Sequence, residues 1–518
     1  MSAVRKSRRT LVQKRPAASP PDEPAIYEEA CPCALDDDRI DNPEWAALPM
    51  SCTLPMWAPH FVRVLQTHRH LPLRGDASMT LSVWSDCSGI NSEMYALNEI
   101  SAAMRSQIGI DVKFSLYFTC DSDRKCIECA SHNHQPAHTS HEMKHRNFTT
   151  GQFWCDTHKQ SHDMPTSGLD LYVGTYPCSP WSRRGNRTGF RHPDASVAMV
   201  GVQSIACVRP AVWIIEVGEL PSPTGMVELM EKVNEVLNTN GAAYTMQPLR
   251  NLTPALCGIP ARRPRTFTIG WRNDVAPAGQ SAAPLADLVG NPMSVDVTFT
   301  SFLGLRAVTD WSRVGQFPSR TEMEWQTRSG CQCRLDPWVQ CPAHTCKCGN
   351  CGDGGVRCAW RGRLVKFIEA EGLAPVIARS SGAMTYLDVL EINGGLGPDL
   401  HRKRVYTNLV AISPRSQPLN ETLMVVDLAQ NPPLGSLHCE GDTPTCTANT
   451  DLWVFQFGMA LGVQHYSALM GLDLSKVTLT RKMTDPWIRQ RLGLAAHIGN
   501  FGIVLLAAVT PPLTKLLC

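Results

Sequence analysis

The chain has 518 residues, 43% hydrophobic and 19% charged, with a formal net charge of +2. That length provides for two or three domains and a large core, and the composition is ordinary for a globular protein, so the chain is expected to fold. No fixed-period repeat is present, which excludes solenoids and propellers.

The first fifteen residues crowd together Arg5, Lys6, Arg8, Arg9, Lys14 and Arg15, followed by "PAASPPDEP". Such a stretch cannot build a core, and residues 1–47 are expected to form a disordered basic, proline-rich tail. It reads either as a solvated tail or as a nuclear-import or nucleic-acid-contacting arm. No apolar signal-peptide core stands here, so the 21 cysteines are expected in a reducing compartment, serving chemistry or metal rather than disulfides.

From about Leu48 the pattern becomes globular. Between residues 78 and 271 the strand-like runs "TLSVW", "VKFSLYF", "LDLYVG", "AVWII" and "RTFTIGW" are separated by stretches long enough for helices. Met226, Met230, Val233 and Leu237 recur at helical spacing, with Gly241 where a stop is expected. Strands alternating with helices predict an α/β fold with a doubly wound sheet. Ligands in that architecture bind outside the carboxyl ends of the strands, where the loops after "SVW", "YF" and "LYVG" fall. The first loop carries the small residues Ser88 and Gly89, which permit close approach to the backbone. The second carries Asp121, a carboxylate placed as acceptors of ribose hydroxyls commonly are. The third, "GTYPCSPWSRRGNRTGF" at 174–190, holds Cys178, which could be a nucleophile, a metal ligand or a buried thiol.

Two cysteine and histidine clusters follow the same order. Cys126, Cys129, His132, His134, His138, His141, His145, Cys155, His158 and His162 lie between the second and third strands, where a polar surface loop is the favoured reading over zinc. Downstream, Cys331, Cys333, Cys341, His344, Cys346, Cys348, Cys351 and Cys358 supply enough ligands for one or two tetrahedral zinc ions, against the alternative of a reduced, metal-free loop. The apolar run "IVLLAAV" at 503–509 ends at Pro511 and Pro512, far short of the roughly 20 residues a membrane span needs, so a soluble protein without membrane partners is expected.

In sequence order, the 174–190 stretch, "VWIIEVGEL", "ALCGIPARRPRTFTIGWR", "ALMGLD" and "AAHIGNFGIV" resemble the motifs of the cytosine-C5 DNA methyltransferases. Pro177, Cys178, Trp181, Ser182 and Gly185 match the nucleophile motif, with Ser179 in place of its glutamine, and Gly258, Ile259, Pro260, Arg263 and Arg265 match a later one. The resemblance implies a Rossmann-like methyltransferase sheet with an inserted, cysteine-rich target-recognition domain. It divides the chain into a tail at 1–47, a catalytic domain at 48–279, a recognition domain at 280–454 and a return to the catalytic domain at 455–518.

It further implies transfer of a methyl group from S-adenosylmethionine to C5 of a flipped cytosine in DNA, in the nucleus. Cys178 would add to C6, Glu216 would activate the ring at N3, and Arg263 and Arg265 would hold the base oxygen and an adjacent phosphate. Ser88, Gly89, Asp121, Asp156, Pro177 and Asn500 would bind the cofactor, and Arg183 and Arg184 would grip DNA phosphates. Zinc is the second candidate cofactor. A catalytically silent homologue that binds nucleic acid or chromatin, and an RNA cytosine-C5 methyltransferase, are the rival readings.

Overall fold

The computed structural model describes residues 39–40, 54–72, 77–180, 188–218, 223–239, 241, 243–261, 263–276, 283–293, 302–303, 424–427, 437–439, 446–448, 450, 452–454 and 459–517. Of the expected tail at 1–47 only Arg39 and Ile40 are described; the rest of it, Arg183, Arg184 and the cysteine-rich stretch from Cys331 to Cys358 lie outside the described residues.

In chain order, β1 (Arg39–Ile40) and α1 (Trp57–Thr67) lead into β2 (Ser78–Asp86), α2 (Ser92–Ile108), β3 (Asp111–Cys120), α3 (Arg124–His134) and β4 (His138–Ser140). A small antiparallel ribbon of β5 (Arg146–Asn147), β6 (Gln152–Cys155) and β7 (Gln160–Asp163) precedes β8 (Leu171–Thr175), α4 (Ala195–Val208), β9 (Val212–Gly218) and α5 (Pro223–Thr239). The hairpin of β10 (Tyr244–Leu252) and β11 (Arg265–Arg272) then runs to α6 (Ala283–Gly290).

The later described strands β12 (Met424–Asp427), β13 (Leu437–Cys439), β14 (Leu452–Val454) and β15 (Met459–Ala460) form a separate antiparallel sheet. They are followed by α7 (Val463–Leu469), β16 (Leu479–Thr480), which pairs with β1, α8 (Asp485–Leu494) and α9 (Ile498–Leu517).

Seven strands form the central sheet in the order β10-β11-β9-β8-β2-β3-β4. Neighbours from β9 through β4 are parallel, and β11 runs antiparallel to both its neighbours. The chain winds outward from β2 to β4, then returns to the other side of β2 at β8, which makes the β2/β8 boundary a topological switch point. The five strand-like runs of the sequence become β2, β3, β8, β9 and β11. β9 is buried at all seven positions, as a strand covered on both faces must be, which explains its unbroken apolar run around Glu216.

Side chains alternate between two cores, as the period of a strand requires. Val83 and Ile214 enter the layer formed with Trp57 of α1, Leu97 and Ile100 of α2, and Phe501 and Leu505 of α9. Their neighbours Trp84 and Trp213 enter the opposite layer with Ile205 of α4 and Leu237 of α5.

The C-terminal apolar run does not stop at its prolines. α9 continues through Pro511 and Pro512 to Leu517. Proline lacks the N–H that would bond four residues back, so Pro512 leaves the Ala508 carbonyl without its helical donor. The Trp271 indole N–H fills that place at 2.9 Å. α9 is the one described helix long and apolar enough to cross a bilayer, and 78% of its apolar window is buried in this fold. Gly502 lets it close on α1, since a Cβ there would stand 1.9 Å from the Trp57 ring.

Candidate active site

The carboxyl ends of β2, β3, β8 and β9 open onto a cavity of about 440 Å³, within the range of small-molecule sites. Its floor is the turn after β2. Cys87, Gly89 and Asn91 alternate with their neighbours at φ near +54°, +53° and +56°, a left-handed sequence that turns the chain sharply into α2. Two of these are not glycine, and such conformations concentrate where a site dictates the backbone path. A Cβ at Gly89 would meet nothing within 4 Å, so the backbone there faces open space.

Asp121, just past β3, joins that turn to the cavity. Its carboxylate accepts the Gly89 and Asp123 amides, each at 2.8 Å. Burial raises its pKa despite those bonds and the nearby Arg491 cation. The side of the cavity beside it comes from the far end of the chain: Arg491 of α8 lines the cavity and holds Asp123 at 2.6 Å, and Trp487 donates to the same Asp123 oxygen at 2.7 Å. Nothing in the local sequence around Arg491 signals this role, because the pairing spans more than three hundred residues.

Opposite stands Cys178. Thr175, the last residue of β8, is the register partner of Glu216, and its hydroxyl donates to the Cys87 carbonyl at 2.6 Å, tying the cysteine loop to the first turn. Cys178 is exposed to the cavity and is a free thiol. Gly218 makes room for it: a Cβ there would stand 2.8 Å from the Cys178 Cβ and 3.2 Å from its Sγ. Ser179 donates to Asp194 ahead of α4 at 2.5 Å, and Gly189 N–H donates to the Pro180 carbonyl at 3.0 Å.

Glu216, two residues before Gly218, is almost wholly buried. Burial pushes its carboxyl up, and the positive charges of Arg265 and Arg263 only partly oppose that. Arg265 Nε contacts its Oε1 at 2.9 Å from the adjacent antiparallel strand. Ser88, Gly89, Asp121, Pro177, Cys178, Glu216 and Arg265 therefore all line one cavity.

Three residues singled out in the sequence are placed elsewhere, and none is among the cavity's lining residues. Arg263 is 1% exposed and donates to the carbonyls of Cys446, Gly493 and Ala495, so it fastens β11 to the C-terminal segment that roofs the cavity. Burial and the neighbouring Arg265 charge lower its pKa. Asp156 accepts from the His141 backbone at 2.7 Å and pairs with its ring at 2.6 Å, leaving His141 to face the cavity instead. Asn500 is fully buried in α9 and donates to the Leu252 carbonyl at 3.1 Å.

Beneath the cavity lies a polar network that no motif announced. The Arg146 guanidinium holds Asp86, donates to Ser204 at 2.7 Å and lies over the Trp84 and Phe118 rings. Tyr172 donates to the same Asp86 and meets the Tyr176 hydroxyl at 3.0 Å. Tyr176 fits only because Gly174 and Gly201 lack side chains, since Cβ atoms there would stand 2.5 and 1.7 Å from its ring or hydroxyl.

A cavity at the switch point, lined by a buried carboxylate, a free thiol and a buried acid from neighbouring strand ends, defines the class as a doubly wound α/β fold with its ligand site at the carboxyl ends of the strands. Residues 88–296 match the family model for C-5 cytosine-specific DNA methylase. Solved structures similar to the chain include a Dnmt2 methyltransferase from S. pombe, at 13% identity over 83% of this chain and 99% of that one, with a TM-score of 0.39. A putative DNA modification methyltransferase encoded within an E. coli prophage is similar at 13% identity over 84% and 99%, with a TM-score of 0.41. The Entamoeba histolytica methyltransferase EhMeth is similar at 12% identity over 83% and 98%, with a TM-score of 0.36. No curated protein matches the chain.

Proposed function

We propose that this protein methylates C5 of cytosine in DNA through a covalent adduct between Cys178 and C6 of the base. The observation that carries the reading is the convergence of Cys178, Glu216 and Asp121 on one cavity at the switch point, with Gly218 leaving the space that Cys178 occupies. The residues present suit S-adenosylmethionine: Asp121 offers a fixed, buried carboxylate to ribose hydroxyls, and the open backbone at Gly89 admits close approach. When bound, S-adenosylmethionine supplies the methyl group.

Cytosine C5 is too weak a nucleophile to accept that methyl unaided. The Cys178 thiolate forms a bond to C6 while the protonated Glu216 carboxyl gives its proton to N3, which places the electron pair on C5. Burial keeps that proton on Glu216 to higher pH than an exposed glutamate would hold it. Arg265 orients the carboxyl from across the sheet. After transfer, loss of the C5 proton drives the electrons back and expels the thiolate. The base must leave its duplex to reach the cavity, and Arg183 and Arg184, five and six residues past the nucleophile, would hold the strand's phosphates.

DNA is favoured over RNA by the family model itself and by the absence from the sequence of the Cys-Phe-Thr signature found in the transfer-RNA branch. The test is methyl incorporation from labelled S-adenosylmethionine into paired DNA and RNA substrates of mixed sequence, followed by base-resolution mapping. Labelled C5 of cytosine in DNA is the expected result. Label in RNA alone would move the substrate, and binding of cofactor and DNA without incorporation would favour the catalytically silent homologue.

A further inference from the structure

Ten cysteines and histidines between residues 126 and 162 look interchangeable in the sequence, but the fold sorts them. Cys126 and Cys129 pack into the apolar core, His134 lies edge-on to Tyr95, and His141 is held by Asp156. Four others converge. One ligand atom from each of His138, Cys155, His158 and His162 lies within 4.8 Å of all the rest. We propose that these four side chains form a closed zinc site that clips the edge of the central sheet to the β5–β7 ribbon.

Two distances within the group lie close to those around a bound zinc. Cys155 Sγ stands 3.5 Å from His158 Nδ1, which stands 3.1 Å from His162 Nε2. Around a tetrahedral zinc with Zn–N of about 2.0–2.1 Å and Zn–S of about 2.3 Å, ligand atoms are about 3.3–3.6 Å apart. Hydrogen bonding alone accounts poorly for the cluster. His158 Nδ1 carries either one proton or one lone pair, yet it faces both the thiol and a second imidazole. His138 Nδ1 is buried with no hydrogen-bond partner among the described residues. A metal relieves the first of these conflicts, with the Cys155 proton released on binding.

One thiolate and three imidazoles select zinc among the common divalent ions, and four protein ligands leave no open position, so the site is structural. Its ligands come from two elements the chain separates. His138 opens β4, paired with Phe118 of β3 at the sheet edge, whereas Cys155 ends β6 and His162 lies in β7. The clip has a direct route to the cavity. Asp156 follows Cys155, its N–H donates to the Thr139 carbonyl at 2.7 Å, and its carboxylate holds His141 on the cavity wall.

The test is zinc content of the full-length chain by elemental analysis. Because Cys331 to Cys358 can bind metal independently, the reading is the difference between proteins. The double variant His158→Ala with His162→Ala is expected to lose about one zinc per chain relative to wild type, and His158→Cys to keep it. Equal zinc in wild type and the double variant, or a folded wild type with no zinc, overturns the proposal. Should the double variant fail to fold, cobalt replaces zinc in wild type and in His158→Cys. The second thiolate of that variant should raise the sulfur-to-cobalt charge-transfer absorption per ion, and an unchanged band overturns the site.

Discussion

Cys178 owes its place to a residue that has no side chain. Gly218 stands where a Cβ would press on the Cys178 Cβ and Sγ, so Gly218→Ala should displace the thiol while leaving the sheet intact. Misplacing a reacting atom by about 1 Å costs on the order of 10²-fold, and methyl incorporation should fall by that order with cofactor affinity unchanged, as read by calorimetry. Glu216 permits a second expectation, in pH. A buried carboxyl whose pKa is raised keeps its proton as pH climbs, then loses its usefulness as an acid once pH passes the folded value. The wild-type rate should therefore fall as Glu216 ionises. Glu216→Gln should be slower throughout and lack the descending limb, and a descending limb that survives the substitution would assign it to another group.

At the scale of elements, α9 shows how an apparent stop signal is overridden. Trp271→Phe removes the N–H that serves the Ala508 carbonyl beside Pro512, leaving a buried acceptor without its donor. The expected loss is about 1–3 kcal/mol in denaturant unfolding. Pro512→Ala restores a backbone donor four residues on, so in the Trp271→Phe background it should recover part of that loss, and additive effects would contradict the account. Of the strands that the sequence announced, β8, β9 and β11 carry apolar runs buried on both faces, whereas β2 and β3 alternate buried and exposed positions before they enter the core. β10 went unseen because it is a half-exposed edge strand interrupted by Pro248 and a register shift, and β4 because "HTS" spans only three residues. In the ribbon, β5 and β7 carry only polar residues, and the buried face of β6 amounts to Phe153 and Cys155 in a four-residue strand, too short to declare itself.

On the scale of the whole molecule, the site is completed by segments far apart in the chain. Gly89, Asp121 and Cys178 were legible because each follows a strand end, and Glu216, inside β9, because its surroundings resemble a family motif. Arg491, His141 and the Arg146–Asp86 network were not, since each acquires meaning only from a partner that the fold brings across the molecule. The same long-range packing moves Arg263 and Asn500 away from the cavity, where their motif positions had suggested ligands. Arg263 instead fastens the roof, a positioning role that depends on the C-terminal return of the chain.

The most direct test of the covalent mechanism uses DNA carrying 5-fluorocytosine with the full-length protein and S-adenosylmethionine. Fluorine at C5 cannot leave as a proton does, so the thiolate that added to C6 stays bound. A protein–DNA adduct that survives denaturing electrophoresis, requires S-adenosylmethionine and disappears in Cys178→Ser is the predicted result. A wild-type protein that binds both cofactor and DNA yet forms no adduct, or an adduct that persists in Cys178→Ser, would contradict it.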